Sequence, residues 1–238
     1  LNFILKYTKR NRPLSNQKGV DYTYTFFVQP QINYKNNSIF GYEVLLRKQD
    51  DEGNWNVPSD FTELPIKEQT ALVEKTSSIL QTATKDKVLA FNLNNEQAND
   101  PLTIGAIITL KKRIDPASLT IELTEAPTLP EIKEISMMLH QYDIDLVLDD
   151  VGTGSNTYKN VRNLLPYVDQ IKFAMQNLRM SGEAEKIPEC LSFWVSQAKK
   201  YCLNLILEGV EDNSDQNLAE KFGINIQQGY LYGKPSLV

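Results

Sequence analysis

Cysteine, histidine and tryptophan are scarce in this chain of 238 residues, with two, one and two copies. Cys190 and Cys202 match no CxxC pair or zinc-ligand spacing and cannot build a disulfide framework. They read as buried thiols in a reducing compartment. No apolar run approaches the ~20 residues of a membrane span, so no transmembrane segment is expected. The apolar residues at the N-terminus precede Lys6, Lys9, Arg10 and Arg12, the reverse of a secretory signal's order. These absences point to the cytoplasm. Residues 1–21 read as an exposed arm, a linker from an upstream domain or a membrane-surface segment, and residues 22–238 as one domain. A cationic excess is also missing: 25 basic side chains face 30 acidic ones, a net charge of −5. Duplex nucleic acid is therefore not the expected partner, because phosphate contacts need clustered Lys and Arg. With 41% apolar and 23% charged residues, the chain is neither collagen-like, coiled-coil nor wholly disordered.

From Tyr22 onward, β-rich runs alternate with helix-like segments. Eight strands are expected at residues 23–30, 38–47, 87–94, 118–123, 145–150, 168–173, 203–210 and 224–230. Most are dense apolar runs, the signature of strands covered on both faces in a parallel sheet. Helices are expected at 68–84, 102–113, 131–142, 160–165, 186–202 and 214–222. In the first of these, Leu72, Ile79, Leu80 and Ala83 share a face. Asp100-Pro101 and Pro130 mark helix starts, and Gly223 marks a stop. One connection breaks the pattern: the Asn-rich residues 33–37 are a hairpin turn, so the first two strands should be antiparallel. The pattern is an α/β fold, a TIM-like (β/α)8 barrel with an antiparallel strand at the start, and an open sheet also fits.

The strand ends carry the chemistry. Read in order they give Gln29, then Glu43 and Arg47, Asn92, Glu122 and Glu125. Asp149 and Asp150, Lys172, Glu208 and Glu211, and Gln228 follow. In a parallel barrel these ends open on one face, where active sites are built. Singly, each acid reads as a loop residue or helix cap; in succession they read as one site. Carboxylates converging there repel unless a cation neutralises them, and Lys172 alone is too little. An all-oxygen donor set points to one or two Mg²⁺ or Mn²⁺ ions rather than Zn²⁺. Such ions beside an acid and a lysine suit attack of water on a phosphodiester. His140, inside a helix, reads as structural.

The segments GYEVLLR, FNLN, IELTE, LDDVGTG, IK, LEGVE and QGYLYGKP, in this order from Thr25 to Pro235, resemble the EAL domain family of cyclic-di-GMP phosphodiesterases. The tripeptide itself reads Glu43-Val44-Leu45. The resemblance implies a (β/α)8-like barrel, often a homodimer, that hydrolyses cyclic-di-GMP to pGpG with Mg²⁺ or Mn²⁺. It implies metal ligation by Glu43, Asn92, Glu122 and Asp149, with Asp149 shared with a second ion completed by Asp150. Glu208, with Lys172 beside it, corresponds to the carboxylate that handles the attacking water. Gln29, Leu45 and Arg47 correspond to substrate contacts, and Gln228 to a ligand shell reached through water. Glu125 corresponds to the residue that shapes the loop after Asp150, and Glu211 to a supporting position. Three departures stand out: Ala174 replaces a usual Asp, Val151 a usual Phe and Ser155 a usual aromatic. Gly152 and Gly154 remain, so the loop's turn should form. The departures leave a second reading open, a degenerate domain that binds cyclic-di-GMP or a protein partner without cleavage.

Overall fold

The computed structural model describes residues 7–10, 21–80, 87–115 and 117–238. Among the described residues, ten strands form one sheet: β1 (Tyr7–Arg10), β2 (Asp21–Asn33), β3 (Ser38–Gln49), β4 (Trp55–Asn56), β5 (Val88–Leu93), β6 (Ser118–Leu123), β7 (Ile144–Leu148), β8 (Gln170–Ala174), β9 (Asn204–Glu208) and β10 (Ile226–Gln228). The order β2-β10-β9-β8-β7-β6-β5-β3 closes through a β2–β3 pairing into an eight-stranded barrel, with β1 and β4 flanking it. The closed barrel settles the choice between barrel and open sheet.

The Asn-rich turn does what its composition dictates. Asn33 caps a single 3-10 turn (Tyr34–Asn36) through its side chain, and Asn37 takes the left-handed conformation at φ 48°. The chain therefore reverses, and β2 pairs antiparallel with both β3 and β10. The other pairings around the barrel are parallel. Above the barrel's upper rim, β1 and β4 extend the β2–β3 hairpin.

The α-helices among the described residues are α1 (Ile66–Ile79), α2 (Asn95–Ala98), α3 (Pro101–Ile114), α4 (Leu129–His140), α5 (Tyr158–Val161), α6 (Met175–Met180), α7 (Ile187–Tyr201) and α8 (Asn213–Lys221), and the longer ones cover the outside. Asp100 caps α3 through the amides of Leu102 and Thr103, with Pro101 in the first turn. Such a cap is worth about 1 kcal/mol. Thr128 and Glu131 form a capping box on α4, so Pro130 lies inside that helix rather than before it. Gly223 follows α8 at φ 71°. Among the described residues no helix is long and apolar enough to cross a membrane.

Several expectations need correction. The core-facing stripe of α1 is Gln69, Leu72, Val73, Thr76 and Ser77. Ile79, assigned to that stripe, is the last residue of the helix and is 47% exposed; residues 81–84 of the expected helix lie outside the described residues. The expected helix at 160–165 is instead the short α5 followed by a separate 3-10 turn at Leu165–Tyr167, with Pro166 in its first turn. Cys202 is exposed, not buried, because it closes α7 in a left-handed conformation; Cys190 is half-buried. Of the N-terminal arm, Tyr7–Arg10 pairs with Asp21–Tyr24, and the rest lies outside the described residues.

Alternation decides what fills the barrel. In β6, Leu119, Ile121 and Leu123 point to one side and Thr120 and Glu122 to the other, and all five are buried. In β8, Gln170, Lys172 and Ala174 share a face in the same way, also buried. The aliphatic faces meet the helices in one continuous core. The inner faces bury Gln31, Thr120, Gln170, Glu43, Glu122 and Lys172. Buried polar groups cost free energy unless they find partners, so the interior is organised by hydrogen bonds.

Candidate active site

Lys172 is the centre of the polar interior. Its Nζ, fully buried, lies 2.6 Å from Glu208 Oε1 and 2.8 Å from Glu122 Oε2. Glu43 Oε2 and Asp149 Oδ1 each stand at 3.6 Å. Four strands thus converge four carboxylates on one ammonium. Burial works against the charge of Lys172, but Asp149, Glu122, Glu208 and Glu43 outweigh it and hold its proton far more tightly than usual. The carboxylates do not all share the benefit. Burial pushes Glu208 up to about 8 and Asp149 up to about 6, and holds Glu122 well above the carboxylate range, with neighbouring acids adding to each rise. Only Glu43 moves down: burial opposes its charge, but Lys172 and the amides of Asn92 and Gln228 outweigh it.

An amide chain orients Glu43. Asn92 Nδ2 donates to Glu43 Oε1 at 2.7 Å, and Gln228 Nε2 donates to Glu43 Oε2 at 2.6 Å and to Gln29 Oε1 at 3.1 Å. Gln228 therefore meets Glu43 directly. Gln31 Nε2 donates to Gln228 Oε1 at 3.0 Å, and Gln29 Nε2 to the Gly233 carbonyl at 3.0 Å. Gln29 reaches the site for a different reason from the one expected. It is not at a strand's end; it pairs with Glu43 in mid-strand, because β2 runs against its neighbours. Gln31 follows two residues on, on the same face, and that period was the available signal for it.

Beyond β7, Asp149, Asp150 and Glu208 bring carboxylate oxygens within 4.8 Å of one another. Asp150 takes φ 50°, a left-handed conformation that costs most residues roughly 1–2 kcal/mol and that Asp, like Asn, tolerates better than most. Its amide donates to Asp149 Oδ1 at 2.8 Å, and its Oδ1 accepts from Asn177 Nδ2 at 2.8 Å. The following loop turns at Gly152, φ 97°, where a Cβ would stand 2.8 Å from the Trp194 ring nitrogen. Asn156 holds this loop by donating to the carbonyls of Asp149 at 2.5 Å and Thr124 at 3.3 Å. Glu125 does not hold it. It lies exposed in the turn after β6 and, among the described residues, makes no hydrogen bond or ion pair with that loop. Val151 is buried in the core while Ser155 is exposed.

A cleft of about 410 Å³ opens over these groups. Glu43, Asp149, Glu208 and Gln228 form its floor, and Gln29, Leu45, Arg47 and Glu211 its sides. Arg47 lies over the Phe27 ring at 5.7 Å and donates to the Leu46 carbonyl at 2.9 Å. Burial eases its guanidinium toward deprotonation, against Glu43 and Tyr230. Gln176, Met180, Tyr230 and Pro235 also line the cleft. Of these, Gln176 and Met180 belong to α6, and a helix opening directly from a strand's upper end was the sequence signal for them. Ala174 is buried opposite Glu208 in the β8–β9 register. His140 lies elsewhere: its Nε2 is 2.8 Å from Asp169 Oδ2, which also accepts from the Leu146 amide.

This ring of acids and amides, strand by strand, repeats the order of motifs read in the sequence, and residues 20–235 match the model of the EAL domain family. The chain belongs to the EAL domain family. It is 29% identical over 226 residues to the cyclic di-GMP phosphodiesterase PdeL of Escherichia coli (strain K12), covering 88% of this chain and 61% of PdeL. It is 25% identical over 224 residues to the probable cyclic di-GMP phosphodiesterase PdeD of the same strain, covering 89% of this chain and 41% of PdeD. It thus spans less than two thirds of either relative's length. The fold is similar to that of the FimX EAL domain from Pseudomonas aeruginosa bound to c-di-GMP, with a TM-score of 0.70, 20% identity and 90% coverage of both chains.

Proposed function

We propose that this EAL domain hydrolyses cyclic di-GMP to the linear dinucleotide pGpG with Mg²⁺ or Mn²⁺. The observation that carries the reading is the convergence of Glu43, Glu122, Asp149 and Glu208 on Lys172 beneath a cleft flanked by Arg47. The residues fit divalent cations on three grounds. The carboxylates outnumber the one ammonium among them. Glu122 Oε1 is enclosed and takes no hydrogen bond from the described residues. The Asp149, Asp150 and Glu208 oxygens are grouped within 4.8 Å, and the set is all oxygen. Glu43, Asn92, Glu122 and Asp149 would hold one ion, and Asp149 and Asp150 a second. Bound there, the ions would neutralise the phosphodiester and make water a better nucleophile.

The chain's own groups do the rest. Arg47 offers a planar guanidinium to a phosphate oxygen, a stronger match than a point charge. Leu45 gives the cleft an apolar wall for a base, and Gln29 a polar contact beside it. Glu208, with its proton affinity raised by burial, is matched to taking a proton from water near neutral pH. Lys172 fixes the orientation of Glu208 and Glu122. Asn92 and Gln228 do the same for Glu43, and Glu211 supports the loop beyond Glu208. Water adds across one P–O bond: its oxygen joins phosphorus as the ribose oxygen departs, Glu208 takes a proton from the water, and the ribose oxygen takes one from solvent, so one water is consumed in all. The acting unit is residues 22–238, in the cytoplasm, with 1–21 as its arm or linker.

Ala174 favours a second reading, binding of cyclic di-GMP without cleavage. One assay separates the two. Purified protein with cyclic di-GMP and Mg²⁺ or Mn²⁺ should release pGpG, detected by chromatography. No pGpG at high protein concentration overturns the hydrolase; retained affinity would then establish the binding module.

A further inference from the structure

Of the site's acids, Asp149 and Asp150 open the loop after β7, and Glu208 ends β9 where the next loop begins. Their grouping requires those loops to keep a fixed spacing. Helix α6 lies between them and holds both. On one side, Asn177 Nδ2 donates to Asp150 Oδ1 at 2.8 Å and to Thr153 Oγ1 at 3.2 Å. Thr153 in turn donates to the Asp150 carbonyl through its amide at 3.2 Å and its hydroxyl at 2.9 Å. On the other side, Arg179 Nη1 donates to the Gly209 carbonyl at 2.7 Å, and Nη2 to Asp215 Oδ1 at 2.5 Å. Asp215 is buried at the start of α8 and accepts from the Glu211 amide at 2.9 Å. Glu211 Oε1 lies 3.5 Å from Arg179 Nη1. Gly209, the residue after Glu208, takes φ 74° and leaves no room for a side chain: a Cβ would stand 2.2 Å from Gln176 Oε1 and 3.0 Å from the Gln176 amide. The loop beside Glu208 is therefore seated directly on α6.

We infer that α6 is a clamp across the two acid-bearing loops, with Asn177 and Arg179 as positioning residues that set Asp150 against Glu208. The inference rests on the reading of these acids as a divalent-cation site. A carboxylate fixed by an outside hydrogen bond loses less freedom when it closes on an ion, and such outer partners govern metal affinity by about 10–100-fold. Asn177 has a further task. It holds a carboxylate whose backbone is already left-handed, so without it the loop has both a reason and the freedom to relax.

The test is Mn²⁺ titration of the whole chain by calorimetry, without nucleotide, comparing wild type with Asn177→Leu and Arg179→Met. Each should weaken Mn²⁺ binding by about tenfold. Arg179→Lys, which can serve only one of two acceptors at a time, should fall between. With cyclic di-GMP, kcat should fall in each while KM stays within twofold. If melting temperature falls but Mn²⁺ affinity and kcat match wild type, the contacts are merely structural and the inference is overturned. Should either bulky replacement fail to fold, Asn177→Ser and Arg179→Lys answer by the same Mn²⁺ criterion. If wild type binds Mn²⁺ but releases no pGpG, the hydrolase reading falls, and the Mn²⁺ comparison still decides the clamp. If wild type binds no Mn²⁺, the cation site falls and the clamp with it.

Discussion

Lys48 and Lys172 both meet glutamates, with opposite consequences. At the upper rim, Lys48 pairs with Glu63, which also accepts from Tyr24 and Ser59. Burial opposes the charge of Glu63, but Lys48, Ser59 and Tyr24 outweigh it and bring its carboxyl down to about 2. In the barrel, Lys172 faces four carboxylates, and the same ammonium chemistry leaves Glu208 near 8 and Asp149 near 6. One acid with several donors is a finished structural contact. Several acids sharing one donor, mostly removed from water, form a centre that stays short of positive charge. The difference lies in stoichiometry and desolvation rather than in residue type, and it separates a stabilising pair from a site.

Removing each cation breaks the comparison most forcefully. Lys172→Met should cost the metal-free protein about 3–5 kcal/mol at pH 8, because it strands buried charge; denaturant melts would show this, and a loss below 1 kcal/mol would refute it. Glu43→Gln should lower Mn²⁺ affinity and pGpG release more than about a hundredfold, a larger loss than outer partners cause. Retained activity would mean the site is misplaced. Ala174→Asp adds a carboxylate opposite Glu208, so it should lower the metal-free melting temperature at pH 8 while tightening Mn²⁺ binding. If both move the other way, repulsion does not govern this wall.

The pH responses sharpen the contrast further. Glu208 and Asp149 hold protons that the unfolded chain would release, so metal-free stability should fall as pH rises from about 5 through 8. Saturating Mn²⁺ should flatten that slope. Glu63 behaves in reverse: its contribution is present above its unfolded value near 4.5 and is lost as pH falls toward 2. Glu63→Gln should therefore cost about 1 kcal/mol at pH 7, the smallest of these effects, and progressively less below pH 4.5. An unchanged difference at pH 3 would show that hydrogen bonding, not charge, holds the rim.

How far the site could be read from sequence follows from how local each signal is. Glu43, Asn92, Glu122 and Lys172 announce themselves because a polar residue inside an apolar strand has few reasons to be there. The reversal of β2 was legible in an Asn-rich turn too short for a crossover. Gln29 was found but for a wrong reason, since its place depends on register with Glu43. Glu125 was misassigned: adjacency to the Glu122 motif says nothing about which way a turn faces, and Asn156 holds the loop instead. Asn177 and Arg179 left no mark, because their partners lie 24 to 36 residues away on other elements.

Lys172 also bears on how the domain comes to exist. Four carboxylates closing on an empty centre would oppose barrel closure until an ion arrived, making folding wait on metal supply. With an ammonium already built into β8, the chain carries its own provisional counterion. The barrel can close first and load later. An ion held as proposed would enter beside a resident positive charge and bind less tightly for it. The arrangement trades strength of capture for independence of assembly.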